Sequence, residues 1–220
     1  MSAQAQARTR ATGGRRPTKA QRRRRRQVLR RRALLIAFGV LVSCVLLAIV
    51  VRPFADKAVQ EISLPLRHED IIRQQAADKG LDPSLIAGVI YVESRFRDQT
   101  SHAGAKGLMQ ILPSTADYIA RKSGGTAFQQ GDLASPQINI AYGSWYLRYL
   151  LRKYHGNEPV ALAAYNAGHG TVDGWLADAA ANDREFKVAD IPYPETRAYV
   201  TKVLDARRDY RREYADELGL

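Results

Sequence analysis

The sequence has few of the residues that build cross-links or metal centres. Its single cysteine, Cys44, excludes an internal disulfide. The histidines are scattered along the chain, and no spacing of histidine or cysteine is typical of a metal site. Alternation of apolar and polar residues, which would indicate strands, is almost absent. We therefore expect no metal and no disulfide framework, and we predict an all-α protein.

Positive charge is concentrated in the first 32 residues, which hold 13 of the 34 Lys and Arg residues and no Asp or Glu. The rest of the chain holds the other 21 basic residues and all 22 acidic residues, so its net charge is −1. Nucleic-acid binding by the folded part would require a basic face there, and we expect no nucleic-acid partner. Residues 1–32 have too little apolar content to form a core, which predicts a basic, disordered tail.

An uncharged apolar run, ALLIAFGVLVSCVLLAIVV, occupies residues 33–51. At about 1.5 Å per helical residue, it spans roughly the 30 Å hydrocarbon core of a bilayer. The arginine-rich tail before it predicts a cytoplasmic N-terminus. We therefore predict a single-pass anchor in the cytoplasmic membrane, with everything after residue 51 outside that membrane.

Other interpretations of the N-terminal region stay open. A cleaved signal peptide would have a shorter apolar region and a small-residue cleavage site, whereas this run ends in Val50, Val51 and Arg52. Leu41–Cys44 resembles a lipoprotein processing box with Cys44 as the lipidated residue, but apolar residues follow it. The arginine run favours contact with anionic lipids over nucleic-acid binding by the tail, because the apolar run follows directly.

The pattern after residue 67 is helical, with prolines and capping residues at helix starts and glycines at helix ends. We predict a linker over residues 52–66 and one all-α domain over 67–220. The predicted helices run over residues 68–79, from Pro83 through Glu93, from Pro113 to Gly124, from Pro136 to Gly156, from Pro159 to Gly168, over 171–179 and over 194–214.

Glu93 occupies an unusual position for an acidic residue. It follows Val89 by four residues and Ile90 by three, so it shares their apolar helix face. Burial there should raise the pKa of its carboxyl group, as a general acid in glycoside cleavage requires. By position alone, a salt-bridged or helix-end glutamate is the commoner interpretation.

Three further stretches carry polar or flexible groups next to helix ends: GAKGLMQILP (104–113), AAYNAG (163–168) and IPYPETRAYV (191–200). Glycines in the first let the backbone approach a ligand closely, and Gln110 offers both a donor and an acceptor. The second places Tyr165 and Asn166 beside a glycine. In the third, Tyr199 follows Glu195 by four residues, so both can face one groove.

Together with VESRF (92–96), these stretches resemble, in order, the catalytic domain of lytic transglycosylases of the soluble, goose-lysozyme-like type (family 1). The resemblance covers about residues 65–212. It implies a lysozyme-like helical fold and cleavage of the β-1,4 bond between N-acetylmuramic acid and N-acetylglucosamine, with a 1,6-anhydro end as product. It implies no metal and no cofactor.

The resemblance also implies roles for individual residues. Glu93 would be the single catalytic acid/base, and Ser94 would support its orientation. Gln110 would line the groove, and Tyr165 and Asn166 would contact the glycan strand. Tyr199 would place its hydroxyl near the catalytic carboxyl, and Glu195 would position its helix. Gly107 and Met109 would support the groove. Leu112 and His169 stand where many family members have methionine and proline, so we expect local loop differences there.

Two rival functions are compatible with the same motifs. A lysozyme-type hydrolase of the same bond would need a second carboxylate to activate water, and Asp98 is the nearest candidate. A non-catalytic glycan-binding anchor would organise an envelope complex without cutting. For the enzyme we expect peptidoglycan strands and the membrane as partners, with cell-wall synthesis or secretion complexes as further candidates.

Overall fold

The computed structural model describes residues 41, 43, 45, 47–52, 59–124 and 127–220. The predicted tail, Cys44 and much of the predicted anchor lie outside these residues. The described positions between 41 and 52 are helical. Within the described part of the chain, no helix is both long enough and apolar enough to cross a membrane. The chain divides into two compact units, Met1–Ala58 and Val59–Leu220.

The second unit is helical, as the pattern predicted. In the part that the structure describes, strand-like pairing is limited to two isolated bridges, Thr100–Lys106 and Lys106–Ile111. Two 3-10 helices, Gln130–Ala134 and Val188–Asp190, join longer elements, and residues 59–63 are also helical. The α-helices are α1 (Glu69–Lys79), α2 (Pro83–Ser94), α3 (Pro113–Ser123), α4 (Pro136–Lys153), α5 (Glu158–Ala167), α6 (His169–Ala181), α7 (Pro194–Glu213) and α8 (Ala215–Leu218).

The folded unit begins earlier than the predicted boundary at residue 67. The segment before α1 contacts the domain through its backbone carbonyls: the Tyr91 hydroxyl donates to Ser63 O at 3.0 Å, and the Tyr214 hydroxyl donates to Leu64 O at 2.7 Å. The sequence pattern also missed α8, because four residues are too few to show a helical period.

Helix α2 carries Glu93, and all of its residues are buried or partly buried. The Asp82 carboxylate caps its first turn by accepting the Ser84 N–H at 2.9 Å. Arg95 and Phe96, with φ of 52° and 59°, are left-handed and end the helix abruptly. Phe96 is 2 % exposed and anchors this turn in the core. Glu93 therefore lies in the last turn of α2, beside the chain reversal.

Helices α2 and α7 pack so closely that a side chain at residue 88 would require α7 to shift. A Cβ atom on Gly88 would lie 3.1 Å from both Arg207 N and Val203 O of α7. Arg207 ties the same region together, because its Nη2 lies 2.8 Å from Asp82 Oδ2 and its Nη1 pairs with Glu158 at the start of α5. This packing brings the helix that carries Glu93 against the helix that carries Tyr199.

Candidate active site

A hydrogen bond between α2 and α7 holds the Glu93 carboxyl group. The Tyr199 hydroxyl donates to Glu93 Oε1 at 2.8 Å. Burial raises the pKa of Glu93 from 4.5 to about 7, and the bond from Tyr199 opposes that rise. Burial and the nearby Glu93 charge in turn raise the pKa of Tyr199 well above its usual value, so Tyr199 remains a donor. The sequence-based prediction of a buried carboxyl with a raised pKa agrees with this geometry.

Ser94 joins the end of α2 to the turn that follows. Its Oγ donates to Leu108 O at 2.7 Å and also lies 3.1 Å from Ile90 O in its own helix. The residue is 5 % exposed, so water does not compete for these bonds. Ser94 therefore fixes residues 104–113 relative to the last turn of α2.

The turn over residues 104–113 is a small closed loop. Lys106 and Ile111 exchange two backbone hydrogen bonds, of 2.9 and 3.0 Å. Gln110 is left-handed, with φ of 47°, and its Nε2 donates to Gly107 O at 2.7 Å and to Gln99 O at 2.9 Å. Both hydrogen bonds of the Gln110 side-chain nitrogen thus go to backbone carbonyls of the protein. The Oε1 atom accepts no hydrogen bond from the described residues.

Asn139 of α4 supports this loop through hydrogen bonds. This role was not predicted from the sequence. It is 1 % exposed, its Oδ1 accepts the Met109 N–H at 2.8 Å, and its Nδ2 donates to Lys106 O and Leu133 O, both at 3.0 Å. The local sequence carries no signal for this role, because the loop lies about 30 residues earlier in the chain.

Gly107 and Met109 are structural parts of the same loop. Gly107 has φ of 76°, and a Cβ there would lie 2.0 Å from Asn139 Nδ2, so no other residue fits without movement. Met109 is fully buried and packs against Gly143 of α4, where a Cβ would lie 2.3 Å from its sulfur. Both residues therefore maintain the shape of the loop by packing against α4.

Tyr165 and Asn166 lie at the end of α5. The Tyr165 hydroxyl donates to Met109 O at 3.0 Å, and burial together with the Glu93 charge raises its pKa well above the usual value. Asn166 is exposed, and its Oδ1 accepts from the buried Thr196 hydroxyl of α7 at 2.8 Å. The Asn166 amide group is thereby oriented with its nitrogen available. Thr196 is a second supporting residue that the sequence pattern did not reveal.

A cavity of about 180 Å³ lies between the loop and α5. Glu93 and Tyr199 do not line it, but Tyr165 does, and Tyr165 interacts electrostatically with Glu93. Amide and hydroxyl groups beside aromatic rings are well suited to sugar binding. The polar and aromatic groups in its wall are Gln110, Thr115, Tyr146, Tyr165 and Asn166.

The two other acidic residues considered in the sequence analysis, Glu195 and Asp98, are not hydrogen-bonded to Glu93. Glu195 is exposed in the first turn of α7, whereas Tyr199 is buried. Asp98 is exposed beyond the end of α2. Neither carboxylate makes a hydrogen bond or ion pair within the described part of the chain. Among the same residues, no group of three or more His, Cys, Asp or Glu is placed to hold a metal ion.

Residues 70–187 match the family model of the Transglycosylase SLT domain, which is more than half of the chain. The chain belongs to this family. The SLT domain of this chain is similar to that of the soluble lytic murein transglycosylase of Escherichia coli K12, at 34 % identity over 154 residues. That match covers 69 % of this chain and 24 % of the relative, so the chain spans about a quarter of that protein's length.

Two further SLT relatives extend the comparison. The membrane-bound lytic murein transglycosylase C of Glaesserella parasuis serovar 5 is 32 % identical over 167 residues, covering 66 % of this chain and 46 % of the relative. The crystal structure of the 70 kDa soluble lytic transglycosylase of Escherichia coli superposes with a TM-score of 0.65 at 32 % identity, covering 72 % of this chain and 26 % of that one. The described domain therefore has the lysozyme-like helical fold of lytic transglycosylases.

Proposed function

We propose that this protein is a peptidoglycan lytic transglycosylase that cuts the β-1,4 bond between N-acetylmuramic acid and N-acetylglucosamine, for cell-wall remodelling. The observation that carries the proposal is a single carboxyl group, Glu93, buried at the end of α2 with a pKa near 7 and held by Tyr199. A carboxyl group with this pKa is partly protonated at neutral pH and can donate and accept a proton in turn. The names of the relatives support the same activity.

In the proposed mechanism, protonated Glu93 donates its proton to the bridging oxygen as the glycosidic bond breaks. The substrate's own N-acetyl oxygen stabilises the positive anomeric carbon, so no protein nucleophile is needed. The Glu93 carboxylate then takes the proton from the C6 hydroxyl of the muramic residue. That oxygen bonds to C1, which closes the 1,6-anhydro ring and returns Glu93 to its protonated form.

We assign the surrounding residues as substrate-binding or supporting. Gln110 Oε1 and the Asn166 amide nitrogen, both without partners among the described residues, would bind sugar groups in the cavity beside Tyr165. Tyr199 and Ser94 would hold the Glu93 side chain and its helix turn in place. The residues assigned to support alone are Gly107 and Met109, which shape the loop, and Glu195, which favours the start of α7 through the helix dipole.

The two rival functions receive less support. A hydrolase would need a carboxylate placed to activate water near Glu93, and Asp98 is exposed and makes no hydrogen bond or ion pair with the described residues. A non-catalytic glycan-binding anchor would gain nothing from a desolvated carboxyl without a cationic partner, because its desolvation is costly. A raised pKa of this kind is typical of groups that transfer protons, which favours the enzyme.

For the N-terminal region, we propose a basic cytoplasmic tail (1–32), a single transmembrane anchor (33–51) and a short connection to the extracytoplasmic domain. The apolar run and its arginine-rich flank support this topology. Peptidoglycan strands and the membrane would be the main partners, with no nucleic acid, and cell-wall synthesis or secretion complexes could recruit the enzyme. Deleting residues 33–51 should release the protein from the membrane fraction, whereas retention there would contradict the anchor.

The decisive experiment is digestion of purified sacculi by the full chain in detergent, followed by mass spectrometry of the products. We expect anhydro-muropeptides from the wild type and none from Glu93→Gln. Glu185→Gln, which removes an exposed carboxylate distant in sequence, is the matched control and should behave as the wild type. Reducing ends in place of anhydro ends would indicate the hydrolase, and no products from the wild type would reject the enzyme.

A further inference from the structure

A second and larger cavity, of about 510 Å³, lies along the C-terminal half of α4. We call it the basic cavity. Its lining contains four cationic side chains, two aromatic rings and no acidic residue. The lining residues are Lys79, Trp145, Arg148, Tyr149, Arg152 and Lys153.

The positive charge of the basic cavity is compensated only in part. Arg148 and Arg152 are exposed and make no ion pair within the described part of the chain. Lys153 pairs with Asp173 at 3.0 Å, and Lys79 donates to the neutral Gln75 amide. The chain after residue 32 carries slightly more acidic than basic residues. The four cations around this cavity are therefore a local concentration of positive charge that the overall composition does not explain.

Two aromatic rings form part of the wall of the basic cavity. Trp145 and Tyr149 stack with ring centroids 5.8 Å apart and an interplanar angle of 3°, and both rings are partly exposed. Flat aromatic faces bind sugar rings and the planes of peptide groups. The wall therefore favours a ligand that carries a flat or ring-shaped group together with negative charge.

An aromatic row connects the basic cavity to the smaller cavity beside Gln110. Tyr149 lies 6.1 Å from Tyr146 between ring centroids, and Tyr146 lies 5.6 Å from Tyr165. Tyr146 and Tyr165 line the smaller cavity, whereas Tyr149 lines the basic one. Tyr146 of the smaller cavity therefore contacts Tyr149 of the basic cavity, and the two cavities are lined by neighbouring residues of α4.

We propose that the basic cavity binds the carboxylates of a peptide stem attached to the glycan strand, while the sugars occupy the smaller cavity. This inference rests on the proposed function and extends it from bond cleavage to substrate selection. Peptide stems carry free carboxylates, which arginine side chains bind through charge-assisted hydrogen bonds. A concave site of this volume fits a discrete group better than the flat surface of an anionic bilayer.

The test measures binding by the full chain in zwitterionic detergent, with Glu93→Gln in every variant so that the ligand stays intact. Three ligands are compared: a muramyl tetrasaccharide with peptide stems, the same compound with its peptide carboxylates amidated, and the peptide-free glycan. We expect Arg148→Gln/Arg152→Gln to raise Kd for the first ligand by about tenfold and to leave the other two unchanged. Trp145→Ala should weaken binding of both peptide-bearing ligands and leave the peptide-free glycan unchanged.

The control is Arg208→Gln/Arg212→Gln, which removes two exposed arginines at the same spacing from α7, both of which pair with acidic residues of that helix. The basic tail is present in every variant, so its contribution cancels. Equal binding of the first ligand by the Arg148/Arg152 variant and the control would overturn the proposal. A fourth probe is the same zwitterionic detergent with an anionic phospholipid mixed into its micelles. A loss of binding that appears only with these micelles would also overturn the proposal, in favour of a lipid contact.

Failure of this inference is distinguishable from failure of the proposed function. If the wild type releases anhydro-muropeptides but the Arg148→Gln/Arg152→Gln variant binds all three ligands normally, the basic cavity is not a stem site and the enzyme assignment stands. If no cleavage occurs but carboxylate-dependent binding is lost in that variant, the stem site stands and the enzyme assignment falls.

Discussion

The Tyr199 hydroxyl and the Glu93 carboxyl meet at 2.8 Å although the two residues are 106 positions apart in the chain. Burial favours the neutral acid, whereas the hydrogen bond from Tyr199 favours the carboxylate. Because the two effects oppose each other, the pKa of Glu93 is about 7 rather than higher. A carboxyl group that must give and then take a proton works best when neither form is strongly disfavoured.

The first prediction concerns the pH dependence of sacculus cleavage. Since Glu93 must start protonated, kcat/KM should fall above pH 7, by about tenfold per pH unit once the carboxylate predominates. Initial rates of anhydro-muropeptide release between pH 4 and 9 measure this profile. A fall centred near the ordinary carboxyl value of 4.5 would show that Glu93 is not desolvated in solution.

Replacing Tyr199 by phenylalanine tests its effect on Glu93. Among the described residues, Tyr199 makes the one hydrogen bond that lowers the pKa of Glu93. Tyr199→Phe removes it, so the alkaline limb of the rate profile should move to higher pH. Loss of orientation should also reduce kcat by about tenfold to a hundredfold. Tyr193→Phe, at the exposed N-cap of α7, is the control and should leave both quantities unchanged.

The free energy of unfolding should also report the burial of Glu93. The folded-state pKa is raised above 4.5, so the folded protein prefers the protonated acid, and stability is lost as pH rises from 4.5 through 7. Glutamine is neutral at every pH and can still accept the Tyr199 hydrogen. Glu93→Gln should therefore be more stable than the wild type by about 2–3 kcal/mol at pH 8 and nearly equal at pH 4.5.

Thermal or urea unfolding of the two proteins at both pH values measures that difference. Glu185→Gln corrects for the loss of an exposed carboxylate. A stability difference between Glu93→Gln and the wild type that is the same at pH 4.5 and pH 8 would contradict a raised pKa.

Helix ends and helix faces of this chain could be predicted from the sequence. Prolines and glycines mark helix ends because they restrict or extend the backbone, and most helix bounds agree within a few residues. The face shared by Val89, Ile90 and Glu93 follows from the helical period alone, and the structure places Glu93 partly buried, as expected. Such inferences depend on neighbours within one or two turns.

Contacts between elements that are distant in the sequence could not be predicted. Nothing in the local pattern shows that Asn139 of α4 supports a loop 30 residues earlier, or that Thr196 orients Asn166. The basic cavity needs Lys79 of α1 beside the end of α4, which only the packing reveals. The membrane anchor is still a prediction from composition, because most of residues 33–51 lie outside the described residues.

The last prediction concerns Asn139, which makes two hydrogen bonds to the loop over residues 104–113 and a third to Leu133 O. Asn139→Ala leaves the Met109 N–H and the carbonyls of Lys106 and Leu133 without this partner. Unfolding should become easier by about 2–4 kcal/mol, because buried polar groups without partners are costly. Since the same loop holds Gln110 and is bonded to Ser94, cleavage of sacculi should fall even at temperatures where the variant is fully folded.

The control for this prediction is Asn182→Ala, which removes an exposed asparagine whose amide donates to Asp178 O. It should lose less than about 1 kcal/mol and keep full activity, because water replaces an exposed hydrogen bond at little cost. Hydrogen exchange at the amide of Met109 separates the two effects of Asn139→Ala. Faster exchange there, with unchanged protection in α2 and α7, would locate the defect in the loop, whereas uniform loss of protection would indicate global destabilisation alone.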